Sequence, residues 1–197
     1  MTHIVEAMHV SKVFHHTASG HPETALQDVS LTVEPGKITA LIGPDSAGKT
    51  TFIRMLCGLM FPSEGQLKVL GEDITKKAEE IQDRLGYMPQ KFGLYEDLTC
   101  MENMNLYADL HGIPEDKRTE LFKKLFVMTG LAPFTGRLAG KLSGGMKQKL
   151  GLACTLVRSP DLLLLDEPTV GVDPISRREL LEIIKSLVKE EHISVLV

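Results

Sequence analysis

Gly43-Pro44-Asp45-Ser46-Ala47-Gly48-Lys49-Thr50-Thr51 is the stretch of sequence that decides the fold. Its first eight residues fit the pattern GxxxxGK followed by Ser or Thr, in which backbone N–H groups surround the phosphates of a nucleoside triphosphate. A β-rich apolar run at 38–42 precedes it and a helical apolar pattern follows as far as Leu59, which is the context that this pattern requires. A glycine-rich structural turn is the alternative. We therefore expect strand, loop and helix, with Lys49 on the β- and γ-phosphates and Thr50 on Mg²⁺.

A second, acidic stretch supplies groups that the loop lacks. Four leucines at 162–165 predict a strand buried on both faces, and Asp166, Glu167 and Pro168 follow it directly. Asp166 would hold Mg²⁺ through water, and Glu167 would orient or deprotonate an attacking water. An ordinary acidic strand end capped by proline is the alternative. Together the two stretches indicate an Mg²⁺-dependent ATPase or GTPase.

The rest of the chain alternates strand and helix patterns around a helical middle segment. Strands are predicted at 4–14, 29–33, 66–70, 85–88 and 193–197, with a polar loop at 15–24. Helices are predicted from the capping box at Thr99 to Leu110, from Pro114 to Gly130, from the N-cap Ser143 to about Val157, and from Pro174 with an apolar stripe of Ile175, Leu180, Ile183, Ile184 and Leu187. This order predicts an α/β fold with a helical insert.

Composition limits the classes of protein that remain. The 197 residues are 43% hydrophobic and 24% charged, as in a soluble globular domain. With 22 basic against 26 acidic residues the net charge is −4, so no basic field favours nucleic acid. No apolar stretch approaches the roughly 18 residues that span a bilayer. Cys57, Cys100 and Cys154 are widely spaced and odd in number, which favours reduced core thiols over a disulfide framework or a zinc site.

Four further motifs carry a resemblance to a known family, the ABC ATPases. Their signature motif is matched by Leu142-Ser143-Gly144-Gly145-Met146-Lys147-Gln148, which lies at a predicted helix start shortly before the acidic strand. Gln90 looks like the Q-loop glutamine of the family, Asp173 lies in a segment similar to its D-loop, and Phe14 lies where the family stacks an aromatic ring on adenine. For Phe14 the alternative is core packing, and for Gln90 an exposed loop glutamine. The resemblance covers essentially the whole chain, in the order and spacing of the family.

The resemblance implies roles for these residues. ATP would be bound by Phe14 and by 43–51, with Gln90 and Glu167 as the catalytic residues. Mg²⁺ would be held by Thr50, Gln90 and Asp166. In the family the signature segment contacts ATP bound to the opposite subunit, and N–H groups at a helix N-terminus suit the γ-phosphate.

The resemblance also implies an organisation of the chain. We expect one ABC ATP-binding domain over 1–197, with a P-loop NTPase core, an N-terminal antiparallel β-subdomain and a helical insert. The core with its β-subdomain would comprise 1–90 and 159–197, and the helical subdomain 91–158. The switch histidine of the family follows the last strand, whereas this sequence stops at Val197, so the domain is expected to be incomplete at its C-terminus and, as it stands, slow in hydrolysis.

Residues 145–150 and 169–174 look most like the corresponding segments in ATPase subunits of bacterial ABC-2 type exporters of drugs and other small molecules. Some of those subunits carry two such domains in one polypeptide, and this sequence resembles the first of such a pair. The implied cofactors are ATP and Mg²⁺. The implied partners are a second ABC ATPase domain and integral membrane permease subunits, on the cytoplasmic face of the cell membrane, with no nucleic acid. The alternatives are a soluble ABC ATPase acting on ribosomes or DNA, and an ATP-gated clamp with poor turnover.

Two segments call for separate expectations. Asp45 and Ser46 stand where the family has Asn-Gly or Ser-Gly. Ser46 must therefore adopt a backbone conformation that glycine adopts more easily, and Asp45 could repel a polyphosphate by up to about 1 kcal/mol.

The loop at 91–95, with Phe92, Leu94 and Tyr95, is expected to line a groove for a short helix of a membrane partner. Packing of that loop on its own domain is the alternative.

Overall fold

The computed structural model describes residues 3–15, 22–91 and 93–197. Within them the strands are β1 (Val5–His15), β2 (Pro22–Val33), β3 (Ile38–Thr39), β4 (Glu64–Val69), β5 (Glu72–Asp73), β6 (Leu85–Met88), β7 (Leu162–Leu165) and β8 (Ser194–Leu196). The α-helices are α1 (Lys49–Leu56), α2 (Ala78–Gln82), α3 (Cys100–Leu110), α4 (Glu115–Met128), α5 (Gly144–Thr155) and α6 (Pro174–Glu191). Short 3₁₀ helices cover Ala132–Phe134, Ala139–Lys141 and Leu156–Arg158.

A four-stranded parallel sheet in the order β3-β8-β7-β6 forms the centre of the molecule. The leucines of β7 are all buried and alternate between two cores. Leu163 and Leu165 pack with α3, α4 and α5, which together are called the helical segment. Leu162 and Leu164 pack with α1 and the second sheet. Because the strands are parallel, the carboxyl ends of β3, β6 and β7 meet at one edge, where ligands bind in open α/β sheets.

The second sheet is antiparallel, in the order β2-β1-β4-β5. β1 lies between β2 and β4, so that Val5 pairs with both Val33 and Val69. Its buried side chains pack in the same cluster as α1 and the even-numbered leucines of β7. This confirms the predicted combination of an α/β core with an N-terminal antiparallel sheet.

The helices α3, α4 and α5 surround a separate apolar cluster. The capping box at the start of α3 is present, since Glu102 N donates to Thr99 Oγ1 (3.2 Å) and Thr99 N donates to Glu102 Oε2 (2.7 Å). Gly130, with φ +68°, follows the end of α4 as predicted. Cys100 and Cys154 lie in this cluster and Cys57 lies in the other, and all three are free and buried. Burial raises the pKa of Cys57 to about 12, as expected of core thiols.

Several predictions about element boundaries are wrong. The strand expected at 38–42 is limited to β3, and Ile42 is 94% exposed. β2 begins at Pro22, inside the expected polar loop, and 16–21 of that loop lie outside the described residues. Leu59 follows α1 and is exposed. Ile175 is 72% exposed because it precedes Leu180 by five positions, which turns it about 140° away from the stripe of α6.

Within the described ranges, no helix combines the length and the apolar character needed to cross a bilayer.

β5 and α2 were not predicted, because two and five residues are too short to carry a periodic pattern.

α5 packs against the first turn of α6 at a point where one glycine is required. A Cβ added to Gly145 would overlap both Cβ and Oγ of Ser176. At the neighbouring Gly144 the nearest atom is Gly171 O at 3.4 Å, an ordinary contact distance. Gly145 therefore allows the two helices to approach, independently of any ligand.

We predict that Gly145→Ala lowers the free energy of unfolding by about 1–3 kcal/mol, because the added methyl group forces α5 and α6 apart. Gly144→Ala is the matched control and leaves stability nearly unchanged. Adding Ser176→Gly to Gly145→Ala restores part of the loss by removing the overlapping atoms. Denaturant unfolding of the four proteins tests this, and equal stabilities of the two single glycine variants would contradict the packing argument.

Candidate functional site

The glycine-rich loop lies between β3 and α1 and encloses the ammonium group of Lys49. Lys49 Nζ donates to Gly43 O (2.8 Å) and to Pro44 O (2.9 Å). Lys49 is the first residue of α1, so the positive end of the helix dipole and the ammonium group face the same region. A loop of this kind presents N–H groups and one cation to an anion.

Two residues of the loop have left-handed backbone conformations. Gly48 has φ +87°, and a Cβ there would come within 2.5 Å of Ala25 O, so only glycine fits at this position. Ser46 has φ +64°, as expected from its place in the loop, and this conformation costs a residue with a side chain about 1–2 kcal/mol. The loop therefore keeps its shape at Ser46 at some cost in backbone strain.

The end of β7 brings a buried carboxylate against the first turn of α1. Thr50 Oγ1 donates to Asp166 Oδ1 over 2.9 Å, and Asp166 is only 2% exposed. The backbone N–H of Asp166 donates to Met88 O (2.9 Å), which fixes β7 to β6 at this level. A hydroxyl and a carboxylate oxygen in contact fit the hard oxygen ligands that Mg²⁺ prefers.

Glu167 lies where three separate stretches of the chain meet. Its Oε1 is 3.6 Å from Lys49 Nζ, and its Oε2 accepts a hydrogen bond from Gln90 Nε2 (3.0 Å). Glu167 has φ +52°, so the chain turns sharply at this point, directly after the buried strand. The carboxylate is 29% exposed and can therefore contact water as well as Lys49.

A cavity of about 580 Å³ reaches Lys49, Thr50, Gln90 and Glu167, whereas Gly43, Pro44 and Asp166 are not among its lining residues. Its lining comprises Phe14, Glu23, Thr24, Ala25, Asp45, Ser46, Ala47, Gly48, Lys49, Thr50, Thr51, Gln90, Glu167 and Val170. Phe14 lies in the lining, and Lys12 Nζ is 5.4 Å from the centre of its ring. The sequence did not predict the lining residues contributed by β2. Their place depends on the hairpin register, which puts Phe14 opposite Glu23 and Val13 opposite Thr24.

The signature residues lie elsewhere, because none of 142–148 is among the residues that line this cavity. Ser143 caps α5 by accepting a hydrogen bond from Met146 N (3.2 Å). Asp173 caps α6 by accepting hydrogen bonds from Ile175 N (3.1 Å) and Ser176 N (2.9 Å). These bonds, chiefly that from Ser176, lower the pKa of Asp173 because they stabilise its ionised form.

The arrangement as a whole has the groups for work on a polyphosphate. The ammonium group of Lys49 can attract an anion, the oxygens of Thr50 and Asp166 suit a divalent cation, and the carboxylate of Glu167 with its amide partner Gln90 can hold a water molecule. The cavity extends from these groups to the ring of Phe14, which offers an apolar face to a base.

Comparison with known proteins gives a consistent picture. The family description "ABC transporter" matches residues 26–170. "Probable multidrug ABC transporter ATP-binding protein YbhF" of Escherichia coli is 58% identical over 171 residues, which are 87% of this chain and 30% of that protein. "Bacitracin transport ATP-binding protein BcrA" of Bacillus licheniformis is 39% identical over 175 residues, which are 89% of this chain and 56% of that protein.

The chain thus spans between about a third and just over half of the length of these relatives. Among solved structures, the dimeric ATP-binding cassette MJ0796, in a post-hydrolysis state bound to ADP and Pi, has a TM-score of 0.82 at 24% identity and shares the fold. That similarity covers 98% of this chain and 86% of the other. Because the family match extends over most of the sequence and includes both halves of the site, the chain belongs to the ABC transporter family, as an ATP-binding domain of that family.

Proposed function

We propose that the chain binds ATP with Mg²⁺ and hydrolyses it, and that hydrolysis powers export of a small molecule through separate membrane subunits. The observation that carries the proposal is the position of Glu167, which contacts both Lys49 and Gln90 beside the Thr50–Asp166 pair. The names of two relatives, a probable multidrug ABC transporter ATP-binding protein and a bacitracin transport ATP-binding protein, favour membrane transport over the soluble alternatives.

ATP would lie in the 580 Å³ cavity, with its phosphates on the loop 43–51 and its base toward Phe14. Lys49 would contact the β- and γ-phosphates, since its ammonium group is already held at the centre of the loop by two carbonyls. Asp45 also lines the cavity, but a single solvent-facing carboxylate is a small repulsive term beside the loop amides and the lysine.

Hydrolysis would depend on Glu167, placed to accept a proton from an attacking water while Gln90 holds its second oxygen. Mg²⁺ would be held by Thr50, Asp166 and Gln90, and when bound it neutralises charge on the phosphates. Thr50 and Asp166 are in contact, and Asp166 would act on the cation through water.

A second ABC ATPase domain would complete the site. The segment 142–148 lines no part of its own domain's cavity, yet it starts a helix whose first turn has N–H groups to offer an anion. The dimeric state of MJ0796, a relative in fold, supports pairing of two such domains. In this arrangement Ser143 and Gly144 of one domain would face the γ-phosphate bound to the other.

Membrane subunits would dock on a groove of about 320 Å³ between the core and the helical segment. For the helical segment we propose the boundaries 91–158. Leu59 and Tyr107 are among its lining residues, and Leu59 is 59% exposed. Burial lowers the pKa of His111, also in the lining, which favours its neutral form in an apolar groove. Docking there would hold the domain on the cytoplasmic face of the membrane.

The loop after Gln90 approaches this groove, since Tyr107 Oη donates to Gly93 O (3.0 Å). Tyr95 is 56% exposed and available to a partner. Leu94, in contrast, packs against the cluster of the helical segment, so it serves its own domain rather than a partner. Phe92, which was expected to take part, lies outside the described residues.

Lys49→Ala is expected to weaken ATP binding in the presence of Mg²⁺ at least tenfold, because the loop loses its only charged donor to the phosphates. Calorimetric titration measures the affinity. Lys76→Ala, which removes a lysine that is 77% exposed and does not line the cavity, is the control and should bind as the wild type does. Equal affinities of Lys49→Ala and wild type would remove the basis of the proposed site.

Glu167→Gln is expected to retain ATP binding and to lower kcat by about 10²–10⁴-fold in the full-length protein, because an amide of the same shape cannot accept a proton from water. Steady-state phosphate release measures this. Glu182→Gln changes an exposed carboxylate of α6 and should leave kcat unaltered. Turnover of Glu167→Gln at the wild-type rate would refute the role of Glu167.

Leu59→Asp combined with Tyr95→Asp is expected to release the membrane subunits while ATP affinity stays the same, because neither side chain lines the nucleotide cavity. Pull-down of the full-length protein from a detergent extract measures the association. Val127→Asp, at a residue 65% exposed on α4, is the control. Recovery of ribosomes or DNA in place of membrane proteins would favour the soluble alternative instead.

A further inference from the structure

The turn that follows Gln90 is fixed to the helical segment by one buried amide. Asn103 is fully buried in α3, and its Oδ1 accepts from Tyr95 N (3.0 Å). Its Nδ2 donates to Tyr95 O (3.0 Å), to Thr99 O (3.0 Å) and, at 3.3 Å, to Leu98 O. The amide group thus uses both its donor and its acceptor capacity on the turn at 95–99, which moves with α3 as a consequence.

The same turn is hydrogen-bonded to the segment that leads into α5. Ala139 N donates to Leu98 O (2.8 Å), and Gly140 N donates to Glu96 O (2.9 Å). A Cβ on Gly140 would lie 3.1 Å from Glu96 O, so glycine permits this close approach. The main chain of Glu96 is therefore hydrogen-bonded to Gly140, two residues before Leu142.

The side chain of Glu96 is attached within the signature segment, at a residue that follows Ser143 and Gly144. Glu96 Oε1 is 2.6 Å from Lys147 Nζ, at the end of the first turn of α5. Lys147 N in turn donates to Ser143 O (2.9 Å). One residue, six positions after Gln90, thus holds the chain both before and after Ser143 and Gly144.

We propose that Glu96 is a positioning residue, which passes a displacement of the Gln90 loop to the N-terminus of α5 through its ion pair with Lys147. The inference rests on the proposed ATPase function and adds to it a connection between the two halves of the site within one domain. The route runs from Gln90, in contact with Glu167, to the helix start that a partner domain would use.

The ion pair between Glu96 and Lys147 is too exposed to contribute much to stability, which favours a role in positioning α5. The side chains of Glu96 and Lys147 are 64% and 33% exposed, and ion pairs in that environment contribute little to the free energy of unfolding. On its opposite side α5 is bound to α6 by the pair Lys149–Glu179. Loss of the Glu96 pair would therefore leave α5 folded and attached to α6, while the turn at 95–99 stays joined to the chain before α5 through its main-chain bonds to Ala139 and Gly140.

The test is a double-mutant cycle in the full-length protein with Glu96→Ala, Lys147→Met and both together. We expect Glu96→Ala to lower kcat about three- to fivefold with the ATP affinity of the loop unchanged within twofold. In the Lys147→Met background Glu96→Ala should have no further effect, because Glu96 acts through that lysine. Independent, additive effects of the two substitutions would overturn the proposal, as would a Glu96→Ala protein with wild-type kcat.

Amide hydrogen exchange is a second measurement. If Glu96 only stabilised the fold, its loss would not change the effect of ATP on exchange at 143–148. ATP with Mg²⁺ should slow amide exchange at 143–148 in a Glu167→Gln background, and Glu96→Ala should reduce that change, since only the main-chain bonds to 139–140 then remain. Glu191→Ala, which removes a pair of the same 2.6 Å length between α6 and Lys124, is the matched control and should keep it.

Different results refute the proposed function and the role of Glu96. A wild-type protein that binds no ATP refutes the proposed function and with it the inference. A wild type that binds ATP while 143–148 responds equally with and without Glu96 refutes the inference alone. If ATP is bound without turnover, the exchange experiment decides by itself.

Discussion

Asp166 leaves the parallel sheet with only 2% of its surface exposed, and a carboxylate in such a place is costly unless it is hydrogen-bonded. The hydroxyl of Thr50 supplies that bond and in doing so ties the first turn of α1 to the end of β7. Lys49, the neighbouring residue, is thereby held within 3.6 Å of Glu167. The loop, the acidic strand end and the buried sheet form one unit because of this contact.

The turn at Glu167 directs two neighbouring carboxylates to different surroundings. Asp166 and Glu167 are adjacent, yet one is buried against Thr50 and the other reaches Lys49 and Gln90. The left-handed backbone of Glu167, φ +52°, makes this divergence possible. Such strain in a residue with a side chain persists only where the surroundings enforce it, and here β7 is bound to neighbours on both sides.

The sequence was sufficient for those parts of the site whose residues are close together in it. The loop at 43–51 and the pair after β7 follow from spacing and flanking pattern alone. The contact between Gln90 and Glu167 does not, because it depends on β6 lying beside β7. Thr24 and Ala25 were missed since a hairpin register brings β2 to the cavity. Helical periodicity misplaced Ile175, where an apolar residue lies in the first turn of α6 and faces solvent.

The alternation of the leucines in β7 also bears on how this sequence can diverge. Leu163 and Leu165 belong to the cluster of the helical segment, while Leu162 and Leu164 belong to the cluster below the antiparallel sheet. The sheet backbone separates the two groups, and substitutions without shared neighbours have nearly additive effects on stability. Epistasis between core substitutions should accordingly be confined to one side or the other. The helical side can change without a matching change in the packing beneath the loop at 43–51.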